Sequence, residues 1–327
     1  MKLFYKITLI LLLTAGSIIL ILSRDDRVYD YNNYFGALID KNHRLENTSS
    51  PRIIFVGASN LAFGLNSKKI EDEFKMPVVN MGLHGDLGLS FILNDVKHNI
   101  KQGDIVVLSI EYFLDKIYYK DLSYAVALYP KGKEFIDYDK DYYIQKTKYY
   151  VNEAQQIRQK FFNFIFEKII RIKEAKVYVS SELNSYDTLV YSRSAFNSNG
   201  DVVSHIDKKP LENLNGRNNL EIVDYIKCIE KLNEFLKYAN DNGARVYFTY
   251  ASYAQSEYDK NYKAVSDFEN QLKDNMKIEI ISSPEDSVFP DSLFFDSVYH
   301  LNRDGREIRT DRIIKALKEK VFHEQKY

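Results

Sequence analysis

A serine hydroxyl is a poor nucleophile at neutral pH. It becomes a good one when an imidazole takes its proton and a carboxylate orients that imidazole. Two short segments near opposite ends of the chain hold these three groups: Phe55-Val56-Gly57-Ala58-Ser59-Asn60 and Asp296-Ser297-Val298-Tyr299-His300-Leu301-Asn302. The first sits where an apolar run ends, and the second opens a C-terminal helical pattern. Ser59 is therefore the candidate nucleophile, His300 the candidate base and Asp296 its orienting acid. Plainer roles are open to each: Ser59 as the N-cap of the following helix, His300 as a surface histidine near a helix start, and Asp296 as a loop cap. The pairing of the two segments favours chemistry.

The elements that must position these residues are legible from periodicity. Residues 52–56, 78–82, 104–110, 245–250 and 278–281 read as strands; residues 66–74, 87–100, 220–240, 259–274 and 303–324 read as helices. Strands alternating with helices imply a parallel sheet of about five strands with right-handed crossovers. Ligands of such sheets gather beyond the carboxyl ends of the strands, and Ser59, Gly82 and Glu111 each follow a strand. The N–H groups of Ser59 and Gly82 are candidate oxyanion donors, an effect typically of ~3–4 kcal/mol per donor. Glu111 is placed either to contact substrate or to accept from loop amides, and His84 either to contact substrate or to face solvent. His205 reads as structural.

The alternation breaks between about 112 and 218. This insertion carries many tyrosines, an amphipathic pattern over residues 152–173 (Ile157, Phe161, Phe164, Ile165, Ile169, Ile172) and a turn signal at Asn199-Gly200. The apolar stripe reads as packed core, and an insertion of this size usually lies over a site or beside a partner.

On these residues the chain resembles the SGNH (GDSL-like) hydrolase superfamily. Its first block matches Gly57-Ala58-Ser59, with Ala58 in place of the usual Asp; its second matches Asn80-Met81-Gly82; its last resembles His300-Leu301-Asn302-Arg303-Asp304-Gly305. The resemblance implies a flavodoxin-like three-layer α/β/α fold and a serine esterase or acyltransferase, with Ser59, His300 and Asp296 as triad and Ser59 and Gly82 as oxyanion donors. Two departures stand out. Asp296 lies four residues before His300 rather than the usual three, where Ser297 stands. The third block, Gly-x-Asn-Asp, is absent after the third strand, where Ile110-Glu111-Tyr112-Phe113 occurs instead. Asn60 is a substitute candidate for the missing oxyanion Asn.

Composition bounds the setting. The chain has 327 residues, 45% of them hydrophobic, which is ample for a core, and its 45 Lys and Arg against 46 Asp and Glu give no reason to expect a nucleic-acid partner. Cys228 is the only cysteine. It excludes an intrachain disulfide and reads as a buried thiol on the inner face of a helix. No His, Asp and Glu cluster has metal-ligand spacing, and no cofactor is expected.

Residues 3–22 are apolar, and from Ile7 to Leu22 uncharged, long enough to span a bilayer. An uncleaved anchor is preferred to a cleaved signal peptide, because a small-residue cleavage site is not evident between Ser17 and Asp25. The expected organisation is thus a transmembrane anchor (1–23), a juxtamembrane linker (24–50) able to dock on the body, and an extracytoplasmic catalytic domain (51–327). The resemblance together with the anchor implies action on acyl esters of an envelope polysaccharide, with a multi-pass membrane-bound O-acyltransferase as partner. Two rival readings are a catalytically weak glycan-binding or assembly subunit and an anchored lipase or thioesterase.

Overall fold

β-Branched and aliphatic runs without charges form strands buried on both faces. In the computed structural model, which describes residues 4–9, 30–112, 117–165 and 189–322, such runs give β1 (Ile53–Gly57), β2 (Val78–Asn80), β3 (Ile105–Ser109) and β4 (Arg245–Phe248). Three short strands follow: β5 (Tyr253–Ala254), β6 (Glu279–Ile280) and β7 (Val288–Phe289). One parallel sheet has the order β2-β1-β3-β4-β6, and β5 pairs with β7 separately. The β1 and β3 register aligns Gly57 with Ser109, so the chain leaves both strands at one sheet edge, where Ser59 and Glu111 follow.

Side chains alternate between the two faces of a strand. Ile54, Val56, Val106, Leu108, Val246 and Phe248 pack on one face against α4 (Leu89–Lys97), α7 (Ile226–Asp241) and α8 (Gln255–Asn275). Ile53, Phe55, Ile105, Val107 and Tyr247 pack on the other against α2 (Ser59–Gly64), α3 (Ser67–Phe74) and α9 (Arg303–Lys320). Buried Cys228 lies on the inward face of α7. That helix starts at Ile226, not 220: the Tyr225 N–H, which a longer helix would bond to the Glu221 carbonyl, is taken by the Gln271 side chain at 2.8 Å.

Of the expected linker, residues 24–29 lie outside the described residues and residues 31–50 are folded within the body unit, Tyr31–Tyr327. Tyr34–Gly36 forms a helical turn capped by the Asn33 side chain, and α1 (Ala37–Asn47) continues from it. Tyr34, Phe35, Leu38 and Leu45 are buried, so this segment belongs to the body. Two compact units are distinguished, Met1–Asp30 and Tyr31–Tyr327. Most of the expected anchor, residues 3–22, lies outside the described residues, of which only 4–9 fall in it and are helical. Among the described residues no helix is long and apolar enough to cross a membrane.

Within the expected insertion stand α5 (Tyr119–Leu128) and α6 (Lys140–Ile165). Ile157 on α6 is 48% exposed, against the expectation of a core stripe at that position, and the other five stripe positions lie outside the described side chains. The Asn199-Gly200 signal does form a tight antiparallel turn: Phe196 bridges Val202, and Gly200 adopts φ +95°, a conformation glycine takes without strain.

This turn is fastened to the sheet by fully buried Asp201. Its carboxylate accepts from Ser67 N–H (2.9 Å) and Oγ (2.5 Å), from Asn80 Nδ2 (2.9 Å) and from Arg306 Nη2 (3.2 Å). Removing one partner of a buried pair strands the other charge. Asp201→Ala is therefore expected to lower stability by about 3–5 kcal/mol in urea unfolding; a change below about 1 kcal/mol would show that Arg306 finds compensation elsewhere.

Candidate active site

Ser59 opens α2, immediately after β1. Its residue spacing within that helix matters, since positions i and i+4 share a face. Phe63, four residues on, stacks flat on His300, with ring centroids 4.0 Å apart and 5° between planes. His300 thus lies one helical turn along the same face from Ser59. No hydrogen bond joins Ser59 to His300 among the described residues; the Ser59 hydroxyl donates instead to Glu111 Oε1 at 3.1 Å.

The acid and base meet in a tight loop. Phe294 bridges Leu301, Phe295 N–H donates to His300 O at 2.8 Å, and His300 N–H donates to Ser297 O at 3.1 Å. That closure brings Asp296 Oδ1 to 2.8 Å from His300 Nδ1, so the four-residue spacing is accommodated within the loop. Ser297 Oγ accepts from Tyr299 N–H at 3.4 Å. Burial pushes the Asp296 carboxyl up, but the charge and hydrogen bond of His300 and a hydrogen bond from Tyr191 outweigh it and hold the group below the usual carboxylate range. Ser59, Asp296 and His300 are 8%, 6% and 7% exposed, so all three candidate side chains are buried.

The expected oxyanion donors are largely committed. Gly82 N–H donates to Asn80 Oδ1 at 2.9 Å, and a Cβ at Gly82 would meet Leu61 Cβ at 2.6 Å and Ala58 O at 2.7 Å. Its glycine identity thus serves close packing of the β2 exit against α2. The Asn60 side chain is likewise engaged: Nδ2 donates to Ser109 O at 3.2 Å, and Oδ1 accepts from Ser109 Oγ at 3.0 Å and Arg309 Nη2 at 2.9 Å. Its side chain is a buried brace between β3, α2 and α9, a correction to the expectation that this side chain substitutes for the oxyanion Asn. The Ser59 N–H has no hydrogen-bond partner among the described residues.

Glu111, 3% exposed, lies where the third block of the resembled superfamily would stand. Its Oε1 also accepts from Asn60 N–H at 3.0 Å. In acyl transfer the N–H of the residue after the nucleophile is a usual oxyanion donor, so this carboxylate covers both the hydroxyl and that donor. Buried Arg309 balances it: Nη1 donates to Asn60 O at 2.5 Å, and burial pulls the guanidinium down to about 9 while Glu111 opposes the fall.

His84 Nδ1 accepts from Asp86 N–H at 3.3 Å, and its ring lies against Tyr34 and Phe35. Tyr34 lies between His84 and Tyr191: its OH donates to Leu83 O at 2.9 Å, and its ring packs 5.6 Å from that of Tyr191. His205 packs on Phe63 and Phe295, with Nε2 3.0 Å from Leu301 O. Burial pushes it down to about 4, which keeps it neutral and fits its structural reading.

Sequence reasoning missed Phe63, Arg309, Tyr34 and Tyr191. Phe63 had a usable signal, the i+4 spacing from Ser59. The other three had none: Tyr191 is one of 26 tyrosines. Among the described residues no three His, Cys, Asp or Glu side chains converge as a metal site. No family model matches this chain, and no curated protein matches it.

Proposed function

We propose that the protein is a serine-dependent acyl-ester hydrolase or O-acyltransferase. The observation that carries this reading is the 2.8 Å contact of Asp296 with His300 Nδ1, which leaves Nε2 as the proton acceptor on an imidazole stacked one turn along the helix from Ser59. Ser59 Oγ attacks the acyl carbonyl as its proton passes to His300 Nε2; the tetrahedral intermediate collapses, and His300 returns the proton to the leaving alcohol. Water or a second hydroxyl then accepts the acyl group. Ser59 N–H, and Asn60 N–H once Glu111 moves off it, are the oxyanion donors at hand.

The sheet order supports a flavodoxin-like three-layer arrangement of the superfamily that the sequence resembles, with helices on both faces. The apolar N-terminal stretch supports an extracytoplasmic body held at the cell membrane; taken with the superfamily resemblance, it implies action on esters of an envelope polysaccharide in company with a membrane-bound O-acyltransferase.

One observation favours a second reading, a glycan-binding or assembly subunit of weak activity: Glu111 puts negative charge where an oxyanion would form. Fluorophosphonate labelling of the full chain, read by intact mass, separates the two. The enzyme reading expects a single adduct, absent from Ser59→Ala, together with p-nitrophenyl acetate turnover that the same substitution abolishes. A folded wild type that neither labels nor turns over would support the binding reading.

A further inference from the structure

The expected insertion contributes Tyr191 to the surroundings of the candidate base. Tyr191 OH donates to Asp296 Oδ2 at 2.6 Å and lies 3.2 Å from His300 Nδ1. Since the phenolic proton goes to Oδ2, the phenolic oxygen is a second acceptor facing Nδ1, beside Asp296 Oδ1 at 2.8 Å. Two acceptors on one ring nitrogen fix the proton there. The segment that carries Tyr191 is itself held: Ser192 bridges Asn33, Arg193 binds both Asp40 oxygens at 2.6 and 2.7 Å, and the Tyr191 ring packs against Tyr34 and Phe63.

We infer that Tyr191 is a positioning residue, by which the insertion and the N-terminal turn lock the Asp296–His300 pair in its working rotamer and tautomer. The inference rests on the serine-enzyme reading for its consequence in rate, but the locking itself is a property of the pair. The other titratable groups around the pair are His205, Tyr34 and, on the Ser59 side, Glu111, whose Oε1 accepts from Ser59 Oγ. His205 is pushed down to about 4 by burial, with Leu301 O opposing and Arg306 adding to the fall. Tyr34 is raised well above its ordinary value by burial, then by Glu111 and Asp296. Neither His205 nor Tyr34 titrates near neutrality, and Glu111 is the same in both proteins, so a shift of the profile between wild type and Tyr191→Phe reports on the pair.

The test is Tyr191→Phe in the full chain. Without the donor on Oδ2 the Asp296 carboxylate is more basic, so the pair keeps its proton to higher pH. The acid limb of kcat/KM is expected to move up by about half a pH unit, and kcat to fall about tenfold with KM little changed. The low-field Nδ1–H proton resonance of His300, assigned among six histidines by His300→Gln, should shift or broaden. Placing 3-fluorotyrosine at 191 strengthens the donor without loss of packing and should move the limb the opposite way. A folded Tyr191→Phe with unchanged resonance and limb overturns the proposal. If wild type shows no turnover, the serine reading fails separately and the resonance alone decides Tyr191.

Discussion

Asp296→Asn should lower turnover of an activated acyl ester by about 10⁴ while leaving the fold intact. The reason is specific to the contacts of this carboxylate. Tyr191 OH donates to one oxygen and His300 Nδ1 faces the other. An asparagine must therefore turn its carbonyl to Tyr191 and its amide nitrogen to His300. The amide N–H then donates to Nδ1 and drives the imidazole proton to Nε2, where it blocks acceptance from Ser59.

The same substitution has a signature in stability. Asp296 is held below the usual carboxylate range in the folded protein, so its contribution is fully present above about pH 4 and is lost as pH falls through the folded value. The stability deficit of Asp296→Asn should be full at neutral pH and shrink in acid, as read by urea unfolding from pH 7 to pH 2. A deficit independent of pH would sink the linkage, and turnover within tenfold of wild type would sink the tautomer argument.

Glu111→Gln should move reactivity and stability in opposite directions. Its carboxylate lies 3.1 Å from Ser59 Oγ and 3.0 Å from Asn60 N–H. A negative charge about 4 Å from a developing oxyanion costs about 4 kcal/mol at an effective dielectric of 20. Neutralising it should speed fluorophosphonate reaction at Ser59 by about 10- to 1,000-fold. Arg309 would then be a buried guanidinium without its nearby carboxylate. The stability loss should be about 2 kcal/mol, below the roughly 3–5 typical of breaking a directly bonded pair, because the neutral acceptors of Arg309 remain. A fall in Ser59 reactivity would instead assign Glu111 as the proton acceptor for Ser59, in place of His300.

How much was legible in advance follows from the range of the interactions involved. The strands at 53–57 and 105–109 and the helix from 303 were readable because burial on both faces or on one stripe imposes a local pattern. The triad candidates were readable because their residue types flank those patterns. Helix starts were less so: α7 begins six residues late, where the Gln271 side chain from α8, distant in sequence, takes the Tyr225 N–H that a longer helix would have used. Residues 34–47 read as polar linker because Tyr34, Phe35, Leu38 and Leu45 are too few to make a periodic run, although each is buried against the body.

By itself the sequence determined the alternating α/β order, the parallel sheet and the placement of Ser59, Gly82 and Glu111 after strands, since these depend on short-range periodicity and chain direction. Only the tertiary structure decided which polar groups are free and which are engaged. It gave the Gly82 N–H to Asn80, the Asn60 side chain to Ser109 and Arg309, the Ser59 hydroxyl to Glu111, and Tyr191 to Asp296. Apart from the local bond of Gly82 to Asn80, two positions away, these hydrogen bonds act over about 3 Å but join residues 49 to 249 positions apart, so no local pattern encodes them.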